Sequence, residues 1–187
     1  MERLYSKIIG MDVFVPDSVR PAHTVQDLVI EPTNGRVIAL VVNARRGLII
    51  VPQDILGIKQ GVYIRNIDDV IEAEEVLRVT AVMKDYEPLI GKKVVVKSDG
   101  SGENEDGDDN GVVIGRINDF VIDGKGLFVK KFYTSKSVLG MFHFDNRIIS
   151  ADSIVEILPD RVIVKDNGKV SVGATSKKGN VRVAAAG

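Results

Sequence analysis

The chain contains no cysteine and no tryptophan, and its only histidines are His23 and His143. Without cysteine, the sequence excludes a disulfide framework, a thiolate metal site and a cysteine nucleophile. Nucleophilic catalysis most often uses histidine as the general base, and neither histidine here stands in a recognisable site motif. We therefore interpret both as ordinary strand or loop residues, and we expect a protein that is not an enzyme and uses no cofactor.

The chain also lacks an excess of one charge and any long hydrophobic run. Its 25 basic and 26 acidic residues give a net charge of −1, whereas proteins that attract nucleic acid over their whole surface are strongly basic. No run approaches the ~18 consecutive apolar residues of a membrane-spanning helix. Residues 1–7 lack the apolar core of a secretory signal. We expect a cytoplasmic protein with no membrane span.

Short runs rich in valine and isoleucine are what the sequence does contain. They are separated by Gly, Asn, Asp or Pro, which is typical of strands joined by turns, and Asn34-Gly35 is a strong hairpin signal because both residues tolerate a positive φ. The pattern predicts an all-β fold with one short connecting helix. The runs are 28–30, 37–42, 48–51, 94–96, 112–114, 127–129 and 162–164.

The connecting helix is predicted within residues 68–84. Apolar side chains recur there at partial three-four spacing, and Asp68 or Asp69 is available as the N-cap. Several β-branched residues weaken the helical pattern, and Pro88 follows it. We place the boundary between two domains in this segment.

The predicted organisation has four parts: a first domain at 1–67, a helical connector at 68–88, a second domain at 89–166 and a flexible tail at 167–187. Within the second domain, residues 98–110 include no apolar side chain. Such a stretch cannot bury surface to offset its ordering entropy, so we expect a mobile acidic loop. The tail is rich in Gly, Lys, Ser and Ala, which favours fraying.

The two halves of the chain carry an internal repeat, a feature that decides the architecture if it is real. An acidic residue inside an apolar strand marks each copy, Asp27 in the first and Asp119 in the second. A second acidic residue follows in each copy, Asp54 in the first and Asp152 in the second. The sequence separation between the two acidic residues is six residues longer in the second copy. Four blocks recur in order: 9–13 with 90–94, 25–30 with 117–122, 49–55 with 148–154, and 62–64 with 162–164.

The second copy carries residues 114–123, with Gly115 before a strand, an acidic residue, a second apolar stretch and a turn, and then residues 148–154. This pattern resembles the PRC-barrel family, which includes barrels of the photosynthetic reaction centre H subunit and of the ribosome maturation factor RimM. In the first copy, Ala22-His23-Thr24 stands where the glycine is expected. The resemblance implies two tandem small β-barrels that dock against other proteins, and it implies no reaction.

Asp27 and Asp119 are the best candidates for acid or base chemistry. Two carboxylates in equivalent strands are open to two interpretations: a catalytic pair, or structural acids that accept backbone N–H bonds. We favour the structural interpretation because each copy repeats the same residue in the same place. Asp54 and Asp152 are interpreted as caps of short helical turns.

The acidic loop offers Asp106, Asp108 and Asp109 as oxygen ligands for a hard cation such as calcium. Its order does not follow the EF-hand, in which carboxylates alternate around a central glycine and a glutamate ends the loop. We therefore interpret the loop as solvated and predict no metal site.

Basic and aromatic side chains suggest where this protein binds a partner. Lysine and arginine can contact acidic groups or phosphate, and an aromatic ring can fill a partner's pocket or stack on a base. An ordinary solvated turn and strand is the alternative interpretation. The residues are Arg45, Arg46, Lys130, Lys131, Phe132, Tyr133 and Lys136.

Two functions are favoured by these residues, ahead of a third, an enzyme or metal-dependent hydrolase centred on the acidic side chains. The first is a non-catalytic adaptor or scaffold that binds a protein partner or associates with itself. The second is a ribosome-assembly or RNA-processing accessory protein that contacts a ribosomal protein or rRNA, as the resemblance to the RimM barrel implies. The absence of a convincing set of catalytic residues favours the first function.

Overall fold

The computed structural model describes residues 2–16, 18–85, 88–97, 111–137, 144–165 and 171–172. The chain is mostly β-strand, which confirms the predicted all-β class. Up to residue 72 the strands are β1 (Glu2–Leu4), β2 (Asp12–Phe14), β3 (His23–Thr24), β4 (Asp27–Ile30), β5 (Val37–Asn43), β6 (Leu48–Ile50), β7 (Ile55–Ile58), β8 (Val62–Ile64) and β9 (Ile71–Glu72).

The rest of the described chain repeats this pattern. Its strands are β10 (Lys93–Lys97), β11 (Val112–Asp123), β12 (Phe128–Ser137), β13 (Phe144–Ser150), β14 (Ile154–Ile157), β15 (Arg161–Lys165) and β16 (Ser171–Val172). The α-helices are α1 (Tyr5–Ile8) and α2 (Leu77–Lys84). Single 3-10 turns lie at Ala44–Arg46, Pro52–Asp54, Ile67–Asp69, Ala73–Glu75 and Ala151–Ser153. Of the helices in this described part, none has the length and apolar character needed to cross a bilayer.

The strand pairings follow the sequence repeat. In each copy a short first strand lies parallel to a late strand, with Val13 opposite Val62 in one and Val94 opposite Val162 in the other. The three-stranded meander β4-β5-β6 of the first copy has its counterpart in β11-β12-β13 of the second. The antiparallel pairs β7-β8 and β14-β15 also correspond, each with an irregular register at the same place. Closure of each copy into a barrel stays a prediction.

Gly10 and Gly91 show how closely the backbones match. Their φ angles are +84° and +88°, a left-handed region that glycine enters without steric cost. The N–H of Gly10 donates to the carbonyl of Val25 over 2.8 Å, and that of Gly91 donates to the carbonyl of Ile117 over 2.7 Å. The glycine that begins each repeat is therefore required by the same turn.

The two copies pack together as one body. Their central hairpins meet edge to edge, where the N–H of Val37 donates to Leu127 over 2.7 Å and that of Val129 donates to Gly35 over 2.9 Å. These reciprocal bonds are what a twofold axis between the copies would produce. A single apolar cluster crosses the contact and includes residues of both copies, among them Leu40, Ile50, Phe120, Phe132, Val62 and Val162.

The segment after β8 differs from the predicted helix of 68–84, because only Leu77–Lys84 is α-helical. The β-branched Ile71 begins the strand β9, which pairs with the edge of β6. Asp68 and Asp69 do not cap the helix. Asn66 caps the preceding 3-10 turn, and the Asp69 carboxylate accepts the N–H of Asn66 over 2.8 Å.

This connector covers one face of the first copy. Ala73 and Val79 pack with the outer side chains of β4, β5 and β6 in a second apolar cluster. Both faces of β5 are therefore buried, which explains why 37–42 is a continuous apolar run rather than an alternating one. The corresponding outer face of β11, β12 and β13 includes the partly exposed Tyr133 and Ile148.

Candidate partner-binding site

A groove of about 730 Å³ lies on the second copy, beside β12. It corresponds to a smaller groove of about 440 Å³ on the first copy. Val76, Arg78 and Val79, at the start of α2, line one side of that smaller groove. The side chains that give the larger groove its character are Glu2, Phe128, Lys130, Lys131, Ile148 and Asp152. We refer to it as the basic groove.

Two consecutive lysines line this groove because β12 is irregular at that point. Val121 lies opposite Lys131 and Ile122 opposite Val129, so Lys130 is an extra residue in the strand. Such a bulge interrupts the strict alternation of side chains between the two faces of a sheet. Lys130 and Lys131 consequently both reach the groove, although a regular strand would send them to opposite sides.

The lysines already have an acidic neighbour. The Glu2 carboxylate lies 3.2 Å from Nζ of Lys131 and 3.9 Å from Nζ of Lys130. Lys130 also lies 5.7 Å from the ring centroid of Phe128, which is within the range of a cation–π contact. Because these side chains are exposed or partly exposed, the ion pairs contribute little stability, about 0–1 kcal/mol. An acidic ligand group can replace Glu2 at small cost.

Phe132 does not belong to the binding surface. Its side chain is 0% exposed, and its ring meets that of Phe120 edge-on with centroids 6.3 Å apart. The prediction that this ring stacks on a base or enters a partner's pocket is wrong, because it fills the shared core instead. Tyr133 is partly buried on the outer face, and Lys136 lies near the end of β12.

Arg45 and Arg46 form a separate exposed feature of the first copy. They lie in the 3-10 turn between β5 and β6, which Asn43 caps by accepting the N–H of Arg46 over 3.1 Å. The residues that line the basic groove do not include either arginine. The structure thus gathers Lys130 and Lys131 into one site and leaves the two arginines outside it.

Asp106, Asp108 and Asp109, the candidate cation ligands, lie outside the described residues, as does His143. Within the described part of the chain, no three His, Cys, Asp or Glu side chains are grouped closely enough to hold a metal ion.

Asp27 and Asp119 both accept backbone N–H bonds, the contact that the structural interpretation expects. Each accepts the N–H of the next residue, Leu28 over 2.7 Å and Phe120 over 2.8 Å. Each also accepts a bond from α1, as described next. Their carboxylates are thus occupied in equivalent ways in the two copies.

The helix α1 connects the two copies through these acids. The Tyr5 hydroxyl donates to Asp27 over 2.9 Å, while the Ser6 hydroxyl donates to Asp119 over 2.6 Å. The Tyr5 ring stacks on Phe120 of the second copy with centroids 4.6 Å apart. Burial, together with the bond to Asp27, raises the pKa of Tyr5 well above its usual value. We call this arrangement the α1 clamp.

Asp54 and Asp152 lie in the 3-10 turns that the sequence predicted, but they do not cap them. The cap positions are Val51 and Ser150, and the Ser150 side chain accepts the N–H of Asp152. The capping prediction is therefore wrong for both carboxylates. Asp152 instead contributes acidity to one end of the basic groove.

Sequence reasoning missed Glu2 and Phe128 as residues of the groove. Glu2 arrives there because β1 pairs with β11, a contact between residues 2–4 and 121–123 that no local pattern announces. The strand registers make Phe128 the counterpart of Arg36, and the two residues form a bridge where the copies meet, a contact that the sequence blocks of the repeat do not include.

A scan against protein-family models found no match to the chain, and a search of curated proteins likewise found none.

Proposed function

We propose that this chain is a non-catalytic adaptor whose second copy receives a protein partner in the basic groove. The observation that carries the proposal is the difference between two equivalent faces. In the first copy the outer face of the meander is covered by Ala73, Val76 and Val79. Both copies have a groove beside this face, but that of the second copy is larger, about 730 Å³ against about 440 Å³, and is lined by Phe128 and two lysines.

The chemistry of the groove defines the partner. Phe128, 36% exposed, and the partly buried Ile148 offer apolar contact, and Lys130 and Lys131 offer positive charge at its rim. A partner segment with an apolar side chain flanked by carboxylates would match both features. Glu2 indicates how such a carboxylate is placed, because it already lies beside both lysines.

The resemblance to PRC barrels supports this function, since barrels of that family dock against proteins. A contact with RNA is the competing possibility. Phe132 is buried and cannot stack on a base, which leaves the partly buried Tyr133 as the other candidate ring and the lysines as the main attraction for phosphate.

Photo-crosslinking in cell extract tests the proposal. Benzoylphenylalanine is introduced at Phe128 and, as the control, at Tyr63, an aromatic residue of the first copy with similar exposure of 38%. We expect one protein to be captured specifically from the Phe128 position, in the same yield after nuclease treatment. Capture of RNA, or equal capture of the same proteins from both positions, would contradict the proposal.

A further inference from the structure

The smaller groove of the first copy and the basic groove of the second are equivalent under the repeat. Residues 36–38 line the smaller one, which we call the first-copy groove, and their counterparts 128–130 line the basic groove. Each groove also includes a residue from the hairpin turn of the other copy. Asn34 lines the basic groove, and Lys125 lines the first-copy groove. Both grooves are therefore built from both copies.

The hairpin turns beside the grooves have the same backbone conformation. Gly35 and Leu127 both have a positive φ, +67° and +49°. The N–H of Gly35 donates to the carbonyl of Glu31 over 2.9 Å, and that of Leu127 donates to the carbonyl of Asp123 over 2.8 Å. The two turns therefore place their neighbouring residues against the grooves in equivalent ways.

Arg36 and Phe128 form the boundary between the two grooves. They lie opposite each other in an antiparallel bridge, and the backbone hydrogen bonds across it are made by the residues before and after them. They are consequently a non-hydrogen-bonded pair, in which the two side chains point to the same face and lie close together. The two grooves therefore meet at this pair.

Positive charge lines both sides of the pair. Five cations border the two grooves, against two acids, and a ligand that carries carboxylates is complementary to this excess. None of the described residues that line the first-copy groove is acidic. The cations are Arg36, Arg78, Lys125, Lys130 and Lys131, and the acids are Glu2 and Asp152.

Two of these cations give the first-copy groove its rim. Arg78 donates from Nε to the Glu31 carboxylate over 2.8 Å, and this bond lowers the pKa of Glu31, so Arg78 already binds an acid of its own chain. Arg36 and Lys125 are exposed and come from different copies. The lining between them includes the buried Val37. The first-copy groove thus combines apolar contact with positive charge, as the basic groove does.

We propose that the two grooves together bind one acidic segment of the protein partner, which crosses the Arg36–Phe128 pair and contacts both copies. Phe128 receives an apolar side chain of the segment, and Arg36 and Lys125 bind carboxylates that lie further along it. This inference rests on the proposed function and extends the site into the first copy. Neither copy alone holds the complete site, because Lys125 of the second copy lines the groove of the first.

Two fluorescein-labelled peptides test the crossing by titration against the full chain. The long peptide has about 12 residues, reaches about 40 Å when extended, and carries two phenylalanines that are each flanked by glutamates; the short peptide is one half of it. A segment that occupies both grooves gains affinity because its second contact is intramolecular. We expect one long peptide to bind per chain, at least about tenfold more tightly than the short one. Affinities within about twofold of each other, or no binding of either peptide, would overturn the proposal.

A charge reversal in the first-copy groove shows whether that groove takes part. Arg36→Glu combined with Lys125→Glu should reduce the affinity for the long peptide to about that of the short one. The matched control combines Arg45→Glu with Arg46→Glu, two exposed arginines of the first copy that line neither groove, and should bind the long peptide normally. Unchanged urea midpoints verify that both variants keep the fold. Equal affinities of the two variants would overturn the proposal.

Failure of this inference is distinguishable from failure of the proposed function. If Lys130→Glu with Lys131→Glu weakens binding of the long peptide and Arg36→Glu with Lys125→Glu does not, the partner occupies the basic groove alone and the crossing is wrong. If neither variant weakens binding, both proposals are wrong. A single-stranded RNA with the same number of charges should bind more weakly than the long peptide at the same salt concentration. Tighter binding of the RNA would overturn the assignment to an acidic protein segment.

Discussion

Replacement of Tyr5 by phenylalanine removes one bond of the α1 clamp and leaves its ring in place. The lost bond runs from the Tyr5 hydroxyl to Asp27 over 2.9 Å, while the stacking on Phe120 is preserved. Hydrogen bonds to charged groups contribute about 1.5–3 kcal/mol. Asp27 is partly exposed and keeps the N–H of Leu28, so we expect a loss near 1.5 kcal/mol, the lower end of that range.

Urea denaturation at neutral pH measures this loss. With a denaturant slope of about 2–3 kcal/mol per molar, the unfolding midpoint should fall by roughly 0.6 M with the slope unchanged. Tyr63→Phe is the control, because that side chain is exposed and stacks on Phe14 at the surface; its midpoint should not move. A Tyr5→Phe midpoint equal to that of the unaltered chain would refute the clamp.

The pH dependence of the same pair of proteins supplies an independent check. Burial and the bond to Asp27 raise the pKa of Tyr5 in the folded state, whereas its pKa in the unfolded chain is about 10. The stability that comes from this difference is complete at a pH below the pKa of the unfolded chain, and it is lost as the pH rises from that pKa toward the pKa of the folded state. The advantage over Tyr5→Phe should therefore shrink above pH ~10; an advantage that grows there would contradict the assignment.

Three further predictions concern the backbone and the packing of the copies. Gly10→Ala and Gly91→Ala should each lower the free energy of unfolding, measured by urea titration, by about 1–2 kcal/mol. Both residues have a positive φ, and an added methyl group meets nothing within 4 Å, so the loss comes from the backbone conformation alone. A loss in only one variant would contradict the equivalence of the two turns. Gly115→Ala should lower it by about 1–3 kcal/mol, because its Cβ would lie 2.9 Å from the Ser135 carbonyl oxygen, and an unchanged midpoint would refute that close approach. Scanning calorimetry should show one transition, as the shared core requires, and two resolved transitions would mean independent copies.

The strand content and the repeat were predictable because they depend on local patterns. Valine and isoleucine runs, and glycines at the same place of each copy, are visible without knowledge of the fold. Gly115 shows what the sequence alone cannot explain. Glycine stands at this position in the second copy only, and it is required there by a strand that is distant in the sequence. A side chain there would strike the backbone of Ser135 in β12, a contact that no local sequence pattern shows.

The contents of the site were only partly predictable because they depend on long-range pairing. Lys130 and Lys131 were found by composition, but Phe132 was grouped with them as a binding residue although it is buried. The bulge at Lys130, which brings both lysines to the groove, also cannot be read from a period counted in the sequence alone. The repeat did hold the answer, since Phe132 corresponds to Leu40 in a buried run. Glu2 had no such signal.

The most direct test of the proposed function is the affinity of the crosslinked partner, purified and titrated against two charge-reversed variants. One variant combines Lys130→Glu with Lys131→Glu. The control combines Lys93→Glu with Lys97→Glu, which reverses two exposed lysines on β10 of the same copy. We predict that the groove variant binds at least about tenfold more weakly, with a reduced salt dependence, and that the control binds normally. Equal affinity of the two variants would contradict the assignment of the basic groove as the docking site.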